Sequence, residues 1–536
     1  MMNRRIFTKS AVISGLLASK ATAVSATKKK PNILFIMSDD HTTQGVGCYG
    51  SRLARFNPTP NIDQLAKEGA RFDSVFCTNA ICTPSRACIM TGQYSQTNGV
   101  LDLAGALPPE RQYLAIEMKK AGYHTAMIGK WHLKEEPAAF DYYKVLVAAG
   151  QQGTYFDPEF IETGMKFGKH KAPGIKTVKH KGHSSDVITD ISLDWLSNGW
   201  NKEQPFFLMH HYKAPHDLFE NAPRYDSWLE DETIPEPESL YDPGNHGSVA
   251  TRGKDDSLIH DIGSSVSKRN TIRNMGMHME IDPDLPDQEY THQAYQAYLK
   301  RYLRCVKGVD DNLKRLFDYL KKNDLWDNTV IFYTGDQGFF LGEHDYIDKR
   351  WMYEEGMRMP FIMRYPETIK PGTVVDSLIN NTDFAPTMLE YAGVKTPDYM
   401  QGRSFRSIVE TGVEPDDWRD ATYYRYWMHM AHKHANPAHF GVRTRRYKLI
   451  FFYGADVYPN GRKDWGTRSE WRTPAAWELY DLKKDPKEMN NVYDNPEYAE
   501  IRKKLKEKLK TLRSELNETD ADYPHIQEII DQHWDD

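Results

Sequence analysis

A chain of 536 residues, 40% hydrophobic and 27% charged, is too long for one simple core, and no apolar run in it approaches the length of a bilayer crossing. Its formal net charge of −6 excludes nucleic acid or any other polyanion held by bulk charge, so an anionic ligand requires a local cluster of cations. Five cysteines (48, 77, 82, 88 and 305) exclude a fold that depends on disulfides, and no pairing among them is readable.

The chain begins with Arg4-Arg5-Ile6-Phe7-Thr8-Lys9, a modest apolar stretch from Ala11 to Ala18 and small residues around Ala21 to Ala26. This pattern predicts a cleaved export signal over residues 1–26, and its paired arginines resemble a twin-arginine signal. The implied partner is an export machinery and the implied location periplasmic or extracellular. Cleavage would remove Arg4, Arg5, Lys9 and Lys20 and take the net charge from −6 to −10.

Residues 32–38 form a nearly continuous apolar run that ends in Asp39-Asp40. Such a run suits a strand buried on both faces of a parallel sheet. Three more runs follow the same plan: Thr125 to Gly129 before Lys130-Trp131-His132, Pro205 to Met209 before His210 to His216, and Thr329 to Thr334 before Gly335-Asp336-Gln337. Helices are predicted from Thr59-Pro60 to Gly69, from a Thr83 cap onward, and over 184–198, 291–322 and 382–392. The alternation predicts an α/β fold with a large, mostly parallel central sheet flanked by helices, whose C-terminal strand ends form the ligand edge. Residues 243–290 are poor in apolar side chains and read as a long loop or insertion. From about 406 the character changes. Thr422 to Trp427, Tyr447 to Tyr453 and Trp477 to Asp481 read as strands, followed by a charged helix over about 497–516. The expected domains are therefore 27–405, and 406–536 as a smaller antiparallel sheet with a helix.

Asp39, Asp40 and Asp336 at strand ends, with the amide of Gln337, make a hard oxygen set suited to Ca²⁺, with Mg²⁺ second. Several unneutralised carboxylates in one place would be costly, which favours a shared cation over plain turn chemistry. Lys130, His132, His216 and Lys349 cluster in polar blocks after the strands. Cys82-Thr83-Pro84-Ser85-Arg86 sits at a predicted helix start, where free N–H groups and the helix dipole favour negative charge.

These blocks, in this order, resemble the type I, formylglycine-dependent sulfatases of the alkaline phosphatase superfamily, and in particular bacterial exported polysaccharide sulfatases. The resemblance covers about residues 31 to 500 and rests on Asn32–His41, Cys82–Gly92, Gly129–His132, Ala214-Pro215-His216 and Asp336–Lys349. It implies that Cys82 is oxidised to formylglycine (3-oxoalanine) by a maturation enzyme, and that the hydrated aldehyde attacks sulfur. It implies that Asp39, Asp40, Asp336, Gln337 and residue 82 bind the cation and that Arg86 holds the hydrate. Lys130 and His132 would face the aldehyde and sulfate, while His216 and Lys349 would contact the sulfate. Three departures stand out: Gln337 where Asn or His is more common, Gly335 where Ser is common, and Asp345 where Gly is common.

Substrate is less legible. His429, His432 and His434, with Trp427 and His439, read either as sugar contacts at the pocket mouth or as a polar interdomain seam. His344 and Arg350 are further candidates for substrate contact. The lysines between 166 and 181 read either as a solvated loop or as a guide for a sulfated polymer. The expected activity is removal of sulfate from a sulfated carbohydrate, algal or glycosaminoglycan-like. The alternatives are a phosphonate monoester or phosphodiester hydrolase of the same superfamily, and a non-catalytic sugar-binding protein.

Overall fold

In the computed structural model the strand Asn32–Asp39 is fully buried and lies at the middle of a ten-stranded sheet. The residues described are 29–241, 247–252, 265–269, 275–431, 434–461 and 471–536; the export-signal expectation for 1–26 falls outside them. Five neighbouring strands run parallel in the order Thr329–Gly335, Asn32–Asp39, Phe206–Pro215, His124–Gly129, Tyr142–Leu146. Antiparallel pairs flank this parallel centre on both sides. All four predicted apolar runs are among the five, so their polar successors gather along one edge.

The reason is visible in the side chains. Ile33, Phe35 and Met37 enter one apolar layer, and Leu34 and Ile36 enter the other. Successive residues of a strand face opposite sides, so only an unbroken apolar run can sit between two cores. The second layer is covered by a 36-residue helix, Asp287–Lys322, whose Tyr295, Tyr298, Leu299, Tyr302, Leu303, Val306 and Val309 recur at three- and four-residue spacing and are buried. The helix Pro60–Glu68 packs beside it, and its free amides at Asn61 and Ile62 donate to Asp310 at 3.0 and 2.9 Å.

The helix Cys82–Thr91 is buried along its whole length and ends at Gly92 in the left-handed region, φ 65°. The expected Thr83 cap is corrected: the helix starts two residues earlier, at Cys82, with Ile81 in the cap position. The Thr83 hydroxyl instead donates to the His132 carbonyl at 3.0 Å and ties the first turn to the 130–132 loop.

After residue 420 the chain forms a four-stranded antiparallel sheet, Ala421–Tyr426, His439–Thr444, Tyr447–Phe452 and Ala476–Asp481. The helices Ala499–Glu515 and Pro524–His533 share a third core with it through Leu505, Leu509, Ile526 and Ile530. All five cysteines are free thiols. Among the described residues no helix is long and apolar enough to cross a membrane.

Candidate active site

Two features of the local chain bring the polar groups together. Asp40 adopts φ 62°, and its carbonyl accepts from Tyr302 Oη at 2.9 Å, which turns the carboxylate back toward the strand tips. Gly129 adopts φ 103°, and a β-carbon there would stand 1.9 Å from the His211 carbonyl. Only glycine allows that approach, and it brings the Lys130 amide to the same carbonyl at 3.0 Å.

Around the tips three carboxylates and three cations are paired one to one. Lys130 Nζ contacts Asp39 Oδ2. Lys349 Nζ reaches both oxygens of Asp40 at 2.7 Å. Arg86 donates from Nε and Nη2 to Asp336 Oδ2 at 3.1 and 2.9 Å, and from Nη1 to the Lys130 carbonyl at 2.7 Å. The Cys82 thiol points at Asp39 Oδ1 across 3.4 Å. All seven side chains are at least nine-tenths buried.

Carboxylate oxygens of Asp39, Asp40 and Asp336 lie within 4.8 Å of one another, and so do ligand atoms of Asp39, Cys82 and His216. Burial lifts Asp40 to about 7 against the pull of Lys349, and the neighbouring Asp336 and Asp348 add to the rise. Burial would raise Asp336 as well, but Arg86, Lys130 and Lys349 hold it below the usual range. Burial works against the charge on Lys349, and Asp40, Cys82 and Asp348 outweigh it. Gln337 donates its amide nitrogen to Asp40, while its Oε1 is buried without a partner. An orphaned amide oxygen beside three clustered carboxylates fits a hard divalent cation, since each orphaned or like-charged oxygen is costly unless something binds it.

The histidines differ. His216 approaches Asp40 Oδ2 at 3.8 Å, and its Nδ1 meets the Asp217 carbonyl at 2.9 Å. Burial depresses it to about 3, opposed by Asp217 and aided by Lys349 and Lys130. His132, at φ 59°, is held well below its ordinary value by burial and by Lys130, Lys134 and Arg86, and its Nδ1 is buried without a partner. Both shifts favour the neutral imidazole.

Arg350 and His434 converge on a third group, Asp348, whose Oδ2 receives Arg350 Nε at 2.8 Å and lies 3.0 Å from His434 Nδ1. Asp348 Oδ1 is 3.5 Å from Lys349 Nζ, so this cluster adjoins the strand-tip site. Sequence reasoning missed Asp348, although its place in the triplet Asp348-Lys349-Arg350 was a usable signal. It also missed His211, whose Nδ1 lies 3.4 Å from Arg86 Nη1.

The other histidines lie elsewhere. His429 accepts from the Ala438 amide at 3.1 Å and meets the Trp471 carbonyl at 2.9 Å, so both ring nitrogens serve the loop. His439 is stacked on Trp351 and Tyr424 and bonded to Pro437 and Met352. His344 stacks on Tyr353 at 5.6 Å. His432 falls outside the described residues.

Asp345 has a definite task. Its carboxylate accepts from Ser265 Oγ and Ser267 Oγ, both at 2.6 Å, and from the amides of Val266 and Ser267 at 3.0 and 2.8 Å. Burial raises it to about 6 even so. The residue clips residues 265–267 onto the loop that carries Asp348 and Lys349; the predicted loop over 243–290 is helical at Met275–His278 and from Asp287 onward. Asp345→Gly should lower stability by about 2 kcal/mol or more through the lost hydrogen bonds. It should also cut kcat/KM by roughly tenfold through misplacement of Lys349. Unfolding and kinetic curves that overlay those of the wild type would refute the clip.

Comparison with known proteins places this geometry. Residues 31–394 match the sulfatase family model, and 342–459 with 463–515 match a model described as N-sulphoglucosamine sulphohydrolase, C-terminal. The chain is 39% identical to an N-acetylglucosamine-6-O-sulfatase of Bacteroides thetaiotaomicron, over 94% of this chain and 90% of that one. A solved structure in complex with its substrate, D-glucosamine-2-N,6-O-disulfate, aligns with TM-score 0.79 at 37% identity, covering 92% of this chain and 99% of the other. A phosphonate monoester hydrolase from Silicibacter pomeroyi aligns with TM-score 0.66 at 21% identity, covering 92% and 96%, a likeness of fold alone. With a family model spanning most of its length and a near-full-length relative at 39% identity, the chain belongs to the sulfatase family and is a sulfuric ester hydrolase.

Proposed function

We propose that the enzyme removes sulfate from a sulfated amino sugar of the glucosamine type, borne by oligosaccharides of a glycosaminoglycan-like polysaccharide. The observation that carries the reaction is the one-to-one set of Asp39–Lys130, Asp40–Lys349 and Asp336–Arg86 around Cys82. Asp39, Asp40, Asp336 and Gln337 would hold Ca²⁺. Oxidised to formylglycine, residue 82 would supply a hydrated aldehyde as nucleophile, and the cation would supply positive charge at the sulfate. Arg86 orients that side chain through its fixed bonds to Asp336 and the Lys130 carbonyl. Lys130, His132, His216 and Lys349 would face the sulfate; Lys349 would supply fixed charge where negative charge develops, while burial holds Lys130 well below its ordinary value. Lys349, kept protonated by its acidic neighbours, is the better placed of the pair His216 and Lys349 to donate a proton to the departing alcohol.

Asp348, Arg350 and His434 would contact the sugar. The substrates named for the two similar proteins support the amino-sugar reading, and the junction of the Asp348 cluster with Lys349 supports its place beside the sulfate. Arg350→Ala should lower kcat/KM on the sulfated sugar about 10²-fold, the scale of truncating one partner of a buried charged pair. It should cost far less on a small aryl sulfate, and an equal loss on both would sink the sugar role. The export signal, a periplasmic or extracellular location, a formylglycine-generating maturation enzyme and a domain division near 405 belong to the same reading. A screen of defined sulfated saccharides tests it. N-acetylglucosamine-6-sulfate should be turned over fastest. Faster cleavage of a phosphate diester, or no sulfate release from any sugar, would overturn it.

A further inference from the structure

Residues 163–182 contain six lysines (166, 169, 171, 176, 179 and 181) and no acidic residue, in a chain whose net charge is negative. The segment is turns and irregular chain up to the short strand Val178–Lys179, part or fully exposed throughout, and anchored underneath. Met165, Phe167 and Ile175 pack inward against the core. Glu159 pins its back through His170 at 3.1 Å and Thr177 at 2.6 Å. All six lysines face outward and are exposed. Among the described residues Lys179 alone of the six meets a carboxylate within 4 Å, Asp157 at 3.8 Å.

Hydrogen bonds link the chain on either side of this segment to the loop that carries His216. Val178–Lys179 is the edge strand of the large sheet, paired with Glu159–Glu162. The next turn is bonded to the rim, with the Asp157 amide donating to the Gly182 carbonyl at 2.8 Å and His183 meeting the Glu220 carbonyl at 2.9 Å. Two residues back from Asp157, Tyr155 donates its hydroxyl to the carbonyl of His216. Exposed Phe156 and Leu218 stand beside these contacts and offer apolar faces to sugar rings.

We infer that this ridge is a docking strip for a linear sulfated polysaccharide, which it holds by charge while a chain end enters the strand-tip site. The inference rests on the sulfated-sugar reading above. Like-signed charges clustered on a surface raise the local concentration of a polyanion, and salt screens that pull beyond about 8 Å at physiological ionic strength. The outward lysines and flanking apolar side chains suit a sulfated sugar chain better than a lipid surface, which would need an amphipathic insertion face.

The test uses the mature, formylglycine-containing, calcium-loaded enzyme, with heparin, anionic phospholipid vesicles and N-acetylglucosamine-6-sulfate as probes. Wild-type enzyme should bind heparin, with affinity falling at least about tenfold between 50 and 200 mM salt. The combined variant Lys166→Gln, Lys169→Gln, Lys171→Gln, Lys176→Gln should raise the heparin Kd about tenfold or more and flatten the salt dependence. The same four positions changed to Arg should restore binding, and turnover of the monosaccharide should stay within about twofold in both variants, because these side chains are exposed and remote from the reacting groups. Unchanged heparin binding by the Gln variant, or tighter binding of wild type to vesicles than to heparin, overturns the inference. Heparin binding that depends on these lysines, in an enzyme inert toward the monosaccharide, upholds the strip and refutes the amino-sugar reading alone.

Discussion

Cys82→Ala enzyme should retain its fold and lose at least about 10⁴-fold in kcat, the scale of removing a nucleophile from a cooperating set. The side chain sits in the first turn of a helix whose ten residues are all buried, with its sulfur against Asp39. Losing one sulfur atom there leaves a small cavity, so the stability cost stays near 1–2 kcal/mol. The thiol itself is a poor nucleophile in this place. Burial raises it far above its ordinary value, and Asp336 and Asp40 add to the rise against Lys349 and Arg86. An unmodified cysteine would therefore remain protonated and inert. The peptide spanning residue 82, from a host with maturation machinery, should be about 18 Da lighter than the thiol form, the change from thiol to aldehyde. Fully active enzyme carrying an intact thiol would refute the chemistry, and so would appreciable turnover by the Ala variant.

Asp336→Asn should be the second severe change, and it acts in two ways. The carboxylate accepts two bonds from Arg86 and one from the Asp40 amide. Neutralising it leaves the buried guanidinium without its counter-charge, at a cost of about 3–5 kcal/mol in stability. It also removes one of the three charges that would hold a dication, with a fall in kcat of about 10³-fold or more. Thermal unfolding should show the first effect, and kinetics with added calcium the second, with no rescue at high calcium. Native-like melting together with native-like turnover would remove Asp336 from both roles.

The parallel core was readable because a strand buried on both faces must be apolar throughout, as 32–38 and 329–334 are. The carboxylates at the strand tips were readable for the same reason, since each interrupts such a run. What could not be read was the pairing. Asp39 with Lys130, Asp40 with Lys349 and Arg86 with Asp336 join residues 91, 309 and 250 positions apart. No local pattern encodes that. Asp348 was given no role beside Lys349 and Arg350, and only the fold shows that all three are buried together. The strand His439–Thr444 escaped because His, Gly and Arg interrupt its β pattern. Its Gly441 is required by crowding: a β-carbon there would lie 2.3 Å from the Leu449 carbonyl and 2.6 Å from Met352 Sδ. Thr83 was mistaken for a cap because its hydroxyl bonds across the site rather than along its own helix.

The cation–carboxylate couples at the strand tips also make metal loading and ester recognition one equilibrium. Lys130 and Lys349 each sit against an aspartate at the strand tips. A divalent ion held by those carboxylates would compete for the same oxygens and leave the two side chains to an incoming oxyanion. The two ligands must then help each other by the same factor, so inorganic sulfate should tighten calcium binding as much as calcium tightens sulfate.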